Sequence, residues 1–206
     1  YAETLELPNG TAFFWKKNTV LDLNSHYINY STSKSTACEV YVNIYTQPSG
    51  TANQEMESEI IPNPFIYIPN DNQEKTFTQQ VNEPGIPIPI WIWGLTSHTH
   101  QYGTDFNIYL SDAQGNPGMQ VFDAGCPGGV PGCPTESYDY QHPPTRYFEP
   151  FLQGMLNEGL VSEAKYVNDG PASVSWGETS NDEMMVTLFF YVLDTTGVDF
   201  TTGIRQ

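Results

Sequence analysis

The stretch Met184-Met-Val-Thr-Leu-Phe-Phe-Tyr-Val-Leu193 is the most apolar segment of the 206-residue chain. Nine of its ten residues are apolar or aromatic, and Thr187 is the only polar one. A short, nearly uninterrupted run of this kind predicts a β-strand that is buried on both faces. It falls well short of the ~20 residues that a membrane-spanning helix requires, and no other apolar run comes closer, so we predict no transmembrane segment.

The rest of the chain carries shorter segments with strand-like patterns. Seventeen glycines and 16 prolines are spread between them, which indicates many turns. Residues 150–156 suggest a short helix, although Gly154 disfavours it. Many short strands separated by turns predict an all-β fold, an antiparallel, jelly-roll-like β-sandwich. The further predicted strands are residues 39–46, 64–68, 75–81, 88–99, 105–110 and 160–167.

The charge of the chain excludes two classes of partner. It has 24 acidic and only 7 basic residues, a formal net charge of −17 at pH 7. Such a chain is repelled by the phosphate backbone, so we predict no nucleic-acid binding. Anionic membrane surfaces are excluded for the same reason.

Two of the three cysteines bracket a loop rich in proline and glycine. Cys126 and Cys133 are close enough along this flexible loop to satisfy disulfide geometry, so we predict that they are bonded. A disulfide places the protein in an oxidising compartment, secreted or at the cell surface. Cys38 is left over, and would pair with a segment outside this chain.

Two of the four histidines lie in the run Ser97-His98-Thr99-His100. Side chains at positions i and i+2 of a strand point to the same face, so both imidazoles can reach one metal ion. The alternative is a pair of surface or hydrogen-bonded histidines. His142 lies in a predicted loop, where it either orients a ligand or has no special role.

Two methionines open the apolar strand. Methionine in such a strand is usually core filler, but its thioether is also a soft ligand that suits Cu(I). Period-two alternation places Met184 and Met185 on opposite faces, and it does not decide which of them would be the ligand. The preceding Asp182 and Glu183 are interpreted as solvated turn acids, with hydrogen bonding to a ligand imidazole as the alternative.

The His-x-His run followed by Gly103, together with the later Ser-Asn-Asp-Glu-Met184, resembles the ligand motifs of a known family. These are the ascorbate-dependent type II copper monooxygenases, which include the peptidylglycine α-hydroxylating and dopamine β-monooxygenases. The resemblance implies that His98, His100 and Met184 hold the catalytic copper that binds O2, and it selects Met184 over Met185. It also implies ascorbate as reductant. The Cys126–Cys133 loop and the run Asp-Tyr-Gln-His142-Pro are most similar to the secreted bacterial members.

A third match extends the resemblance toward the start of the chain. Residues 20–27, which end in His26-Tyr, resemble the strand that supplies one ligand of the family's second, electron-storing copper. The implied organisation is residues 1–48 as the tail of an N-terminal copper domain, 49–198 as the catalytic-copper sandwich, and 199–206 as a polar tail or linker. The rest of the N-terminal domain and a C-terminal sorting or adhesion domain would lie outside this chain.

Two departures from the family concern the substrate. The peptide-hydroxylating enzyme holds its substrate's carboxylate with an arginine and a tyrosine, and the matching positions here are Thr96 and Leu188. Neither can make a bond of that kind, so amidation of glycine-extended peptides is disfavoured. We therefore expect a secreted, bacterial copper monooxygenase acting on an unknown small molecule or peptide. The alternative is a non-catalytic copper-binding, adhesion or cargo module of a larger secreted protein.

Overall fold

The fold was analysed in a computed structural model of the chain. The residues that it describes are 5–21, 23, 29, 31–52, 54–83 and 85–193.

The described part of the chain is built almost entirely of strands. They are β1 Thr11–Ala12, β2 Gln54–Glu55, β3 Glu57–Pro62, β4 Tyr67–Ile68, β5 Lys75–Val81, β6 Pro89–Thr99, β7 Gly103–Ser111, β8 Pro117–Asp123, β9 Thr145–Met155, β10 Leu160–Tyr166, β11 Val174–Ser175 and β12 Met185–Val192. Two four-stranded antiparallel sheets make up most of the fold, with strand orders β5-β10-β7-β8 and β3-β12-β6-β9. Two short pairs, β1 with β2 and β4 with β11, complete the strands. This arrangement confirms the prediction of an all-β, antiparallel sandwich.

The main core lies between the two large sheets. Alternate residues of β12, among them Met185 and Phe189, pack there with Ala164 and Tyr166 of β10. Among the polar contacts between the sheets is one between the hydroxyls of Ser162 on β10 and Thr187 on β12, whose oxygens are 2.5 Å apart. Both side chains are almost fully buried, so the two sheets share a hydrogen bond as well as apolar contacts.

A second, smaller core covers one end of the outer face of the β12 sheet. Trp93 and Val192 are buried there, with Leu7 and Phe13 of the N-terminal segment packed against them. One face of strand β12 therefore contacts the main core along its length. The opposite face contacts the second core at the C-terminal end of the strand. That explains why its sequence is apolar at consecutive positions, as predicted for a strand buried on both faces.

Several predicted strands agree closely with the structure, and others do not. Residues 39–46 alternate like a strand, but they form no strand and their side chains are exposed, so this prediction is wrong. Residues 150–156 belong to strand β9 rather than to a helix, because β9 pairs along β6 and tertiary pairing overrides weak local preference. Strand β8 was not predicted, since its start overlaps a run of turn-forming residues.

The predicted disulfide is confirmed. Cys126 and Cys133 are bonded, with their Cα atoms 5.7 Å apart, and a short 3₁₀ turn at Pro127–Gly129 lies inside the loop. Cys38 is an exposed free thiol. In the described part of the chain, no helix is long and apolar enough to span a membrane.

Candidate metal centre

The histidine pair lies at the end of β6, on the outer face of its sheet. Thr99, between the two histidines, is fully buried on the core side, while His98 is half-buried. His100 follows directly after the strand and is 7% exposed. The two imidazole rings are 5.1 Å apart between centroids and nearly perpendicular, at 83°. As predicted from the strand period, both histidines project from the same face.

The strand register places Met185 on the core face, away from the histidine pair. Met185 pairs with Thr99 and Val186 pairs with His98, and Met184 is the residue directly before strand β12. Met185 is fully buried in the main core, where the amide of Asn63 lies 3.5 Å from its sulfur. Met185 thus faces the core rather than the histidines, which leaves Met184 as the candidate. Its role as a metal ligand stays a prediction.

A buried carboxylate joins the two segments that carry the candidate ligands. Glu183 is fully buried, and its Oε1 accepts hydrogen bonds from the backbone N–H groups of His100 and of Met184, the latter at 2.8 Å. Its Oε2 accepts a third, from Tyr102 N at 2.9 Å. The interpretation of Glu183 as a solvated turn acid is therefore wrong. One side chain thus joins the two segments that carry the candidate ligands.

Burial also changes the protonation of this carboxylate. Desolvation raises the pKa of Glu183 to about 7, although the three backbone hydrogen bonds act in the opposite direction. The sequence contained no signal for this role, because an acidic residue between Asp182 and Met184 has the same pattern as a solvated turn.

The imidazole of His100 is oriented by a main-chain carbonyl. Its Nδ1 lies 3.0 Å from the oxygen of Asp182. A carbonyl can only accept, so Nδ1 carries the proton, and in the neutral ring Nε2 keeps its lone pair. Metal-binding histidines commonly donate their other ring N–H to a carbonyl in this way. The tautomer that the structure imposes on His100 is the one that a ligand through Nε2 requires.

Two imidazoles and a thioether together suit copper. Thioether sulfur is a soft donor that favours Cu(I), and imidazole binds copper in general, whereas structural zinc sites use cysteine, histidine and carboxylate. In the described part of the chain, no three or more His, Cys, Asp or Glu side chains are grouped to hold a metal ion. A site built on His98 and His100 therefore depends on Met184 as third donor, and the donor set fits copper.

Residues on the core side fix the turn that follows the histidines. The hydroxyl oxygens of Thr99 and Tyr138 are 2.5 Å apart, and Tyr166 donates its hydroxyl to the carbonyl of Met184 at 2.9 Å. Burial raises the pKa of both tyrosines, so they stay protonated. At Gly103 an added Cβ would lie 2.2 Å from Thr99 Oγ1. Only glycine fits here, which explains its place three residues after His100.

The remaining histidines have different positions. His142 is exposed on the loop before β9, and its Nδ1 lies 2.9 Å from Asp139 Oδ2. This contact lowers the pKa of Asp139. His142 borders a cavity of about 260 Å³ beside the Cys126 loop. His26, the predicted ligand of a second copper, lies outside the described residues.

The chain was compared with protein-family models and with curated proteins. No protein-family model matches it. No curated protein matches it either.

Proposed function

We propose that this chain binds copper through His98, His100 and Met184 and is the catalytic-copper sandwich of a secreted, bacterial monooxygenase. The reaction would be hydroxylation of a substrate C–H bond with O2 and ascorbate. The observation that supports this proposal best is the buried carboxylate of Glu183, which accepts hydrogen bonds from the backbone N–H groups of both His100 and Met184.

Each residue of the site has a distinct part in this proposal. Copper, when bound, supplies the one-electron chemistry by which O2 is activated toward a C–H bond. His100 presents Nε2 because its Nδ1–H donates to the backbone carbonyl of Asp182. The thioether of Met184 favours the reduced ion. Glu183 fixes the backbone on either side, so the donors are positioned before an ion arrives.

The two methionines provide a matched test. We expect about one copper per chain, with a sulfur scatterer in the X-ray absorption spectrum of the Cu(I) form. Met184→Leu should lose that scatterer and weaken Cu(I) binding at least about tenfold, since even residues that only support ligands change affinity by that much. Met185→Leu should keep both, because Met185 faces the core.

The outcomes distinguish the proposal from its alternatives. Unchanged copper affinity and sulfur scattering in Met184→Leu would refute the ligand set. Copper binding without ascorbate-dependent O2 consumption across a substrate panel would leave the non-catalytic copper-binding module. A protein that takes up no copper would leave an adhesion or cargo module.

A further inference from the structure

The connection between strands β8 and β9 carries the disulfide and also reaches the strand of the histidine pair. It spans residues 124–144, and most of its side chains after Gly129 are exposed. Within this exposed part, the ring of Tyr138 packs against the main core. We call residues 124–144 the β8–β9 connection.

The hydroxyl of Tyr138 is bonded to the strand that carries the histidine pair. Its oxygen lies 2.5 Å from Oγ1 of Thr99, and that Oγ1 also donates to the carbonyl of His100 at 3.3 Å. A threonine hydroxyl has one proton, so Thr99 donates to His100 and accepts from Tyr138. Thr99 is fully buried between the two histidines, so this contact supports their backbone from the core side.

The backbone next to Tyr138 is tied to the backbone next to Cys126. The N–H of Ser137 donates to the carbonyl of Gly125 at 2.9 Å, and each of these residues directly precedes one of the pair. The bond from Cys126 to Cys133 closes the chain just beyond this contact. The disulfide therefore limits where the segment that carries Tyr138 can lie.

Packing contributes little to holding this segment against the disulfide. The space between them is a cavity of about 260 Å³, with Cys126 and Pro127 in one wall and Ser137, Asp139 and His142 in the other. Segments with few buried apolar contacts open locally at low cost in free energy. Once the disulfide is opened, we therefore expect this segment to leave its position.

We propose that the Cys126–Cys133 disulfide controls the metal affinity of the histidine pair, and that Tyr138 is the positioning residue that connects them. When the bond is closed, the hydroxyl of Tyr138 stays on Thr99 and both imidazoles are held toward one ion. When the bond is opened, the histidine pair loses this support. The inference rests on the proposed function, which makes copper the metal at the pair.

A thiol reductant opens the bond by exchange. Its thiolate attacks Sγ of Cys133, which is half-buried between exposed Gly132 and Pro134, whereas Cys126 is 3% exposed. The S–S bond breaks, and Cys126 leaves as a thiolate and takes up a proton. A second thiol then releases Cys133, so two external thiols are oxidised to one disulfide while two protein thiols form. Metal would thus be held tightly under oxidising conditions and weakly where thiols are abundant.

A double-variant cycle tests the connection in the full chain, with Cys38→Ser as the background. The opened form is Cys126→Ser with Cys133→Ser, which leaves no thiol to bind copper, and Cu(I) affinity is measured by competition with a chromophoric chelator. We expect opening to weaken Cu(I) binding about tenfold while the sulfur scatterer stays. Tyr138→Phe should weaken it similarly with the disulfide intact, and opening should then add less than about twofold.

Matched variants separate this contact from a general loss of hydroxyls. Tyr109→Phe is the control, because Tyr109 is a half-buried tyrosine of β7, outside the β8–β9 connection. It should change neither the affinity nor the effect of opening. Thr99→Ser keeps the hydroxyl that Tyr138 contacts and should keep the effect of opening, whereas Thr99→Val should lose it.

A readout on the metal-free protein separates the connection from copper binding. Reduction with dithiothreitol should shift the imidazole ¹⁵N signals of His98 and His100, and it should not shift them in Tyr138→Phe. His142 lies in the β8–β9 connection itself, so its signal should shift in both proteins and reports that the bond has opened.

The inference is overturned if affinity and the His98 and His100 signals survive opening unchanged, or if opening has the same effect in the wild type and in Tyr138→Phe. Loss of the amide signals of β5 and β10 on opening would also overturn it, since the disulfide would then be required for folding alone. A protein that takes up no copper but shows the Tyr138-dependent shift would refute the proposed function and leave the connection standing.

Discussion

The hydroxyl pair that crosses the core allows a quantitative test of how the two sheets are packed. Ser162 and Thr187 are 0% and 1% exposed, and their oxygens are 2.5 Å apart. Thr187→Val keeps the shape of the side chain but leaves the Ser162 hydroxyl buried without this partner. Such a group costs about 1–3 kcal/mol. Ser162→Ala should cost a similar amount for the same reason.

The double variant makes the prediction specific to the pair. With both hydroxyls removed, no polar group is left unsatisfied, so the combined cost should be smaller than the sum by about 1–2 kcal/mol. Urea unfolding measures this, and with a slope of about 2 kcal/mol per molar, a 2 kcal/mol loss lowers the midpoint by about 1 M.

A neighbouring serine serves as the control. Ser97 pairs with Thr187 across β6 and β12 and is 3% exposed, but its hydroxyl has no hydrogen-bond partner in the described part of the chain. Ser97→Ala should therefore be neutral or slightly stabilising. Strictly additive costs in the Ser162 and Thr187 cycle, or a loss for Ser97→Ala as large as that for Ser162→Ala, would show that the contact does not join the sheets.

Two further predictions concern the candidate site. The pKa of Glu183 is raised from 4.5 to about 7, so between these pH values the folded metal-free protein keeps a proton that the unfolded chain releases. The free energy of unfolding should therefore fall by about 3 kcal/mol as the pH rises from 4.5 to 7. Urea midpoints measured across this pH range should decline in the wild type and not in Glu183→Gln. An equal dependence of the midpoint on pH in the two proteins would contradict the prediction. Gly103→Ala should destabilise the protein by at least about 2 kcal/mol and weaken copper binding, because its Cβ would collide with Thr99. Gly154→Ala is the control, because the nearest atom to its added Cβ is 3.6 Å away. Thermal unfolding and copper titration compare the two variants, and equal effects would refute the steric argument.

The fold was predictable where the strand pattern is local. Residues 75–81 are predicted and observed over the same range, and the strand predicted at 160–167 is observed as Leu160–Tyr166. Both segments pair with neighbouring strands along their length. Residues 39–46 alternate with period two and still form no strand, because a strand also needs a partner, which this segment lacks in the described part of the chain.

The common face of the histidine pair was predictable from the sequence, but the carboxylate that ties His100 to the Met184 segment was not. The spacing of His98 and His100 places them on one face of any strand, and the structure follows. The role of Glu183 depends on His100 and Tyr102, which are more than 80 residues away in sequence. No local pattern distinguishes a carboxylate that will be buried by such a distant segment from one that will remain in solvent.

The hydrogen bonds of Glu183 also bear on how an ion would enter and leave. Small zinc domains fold only when metal arrives, so their metal exchange is coupled to unfolding. Here a carboxylate of the protein already joins the His100 and Met184 segments, and the conformational entropy of ordering them is lost during folding itself. An ion bound at this site could therefore be exchanged with a delivery protein or a chelator while the sandwich stays folded.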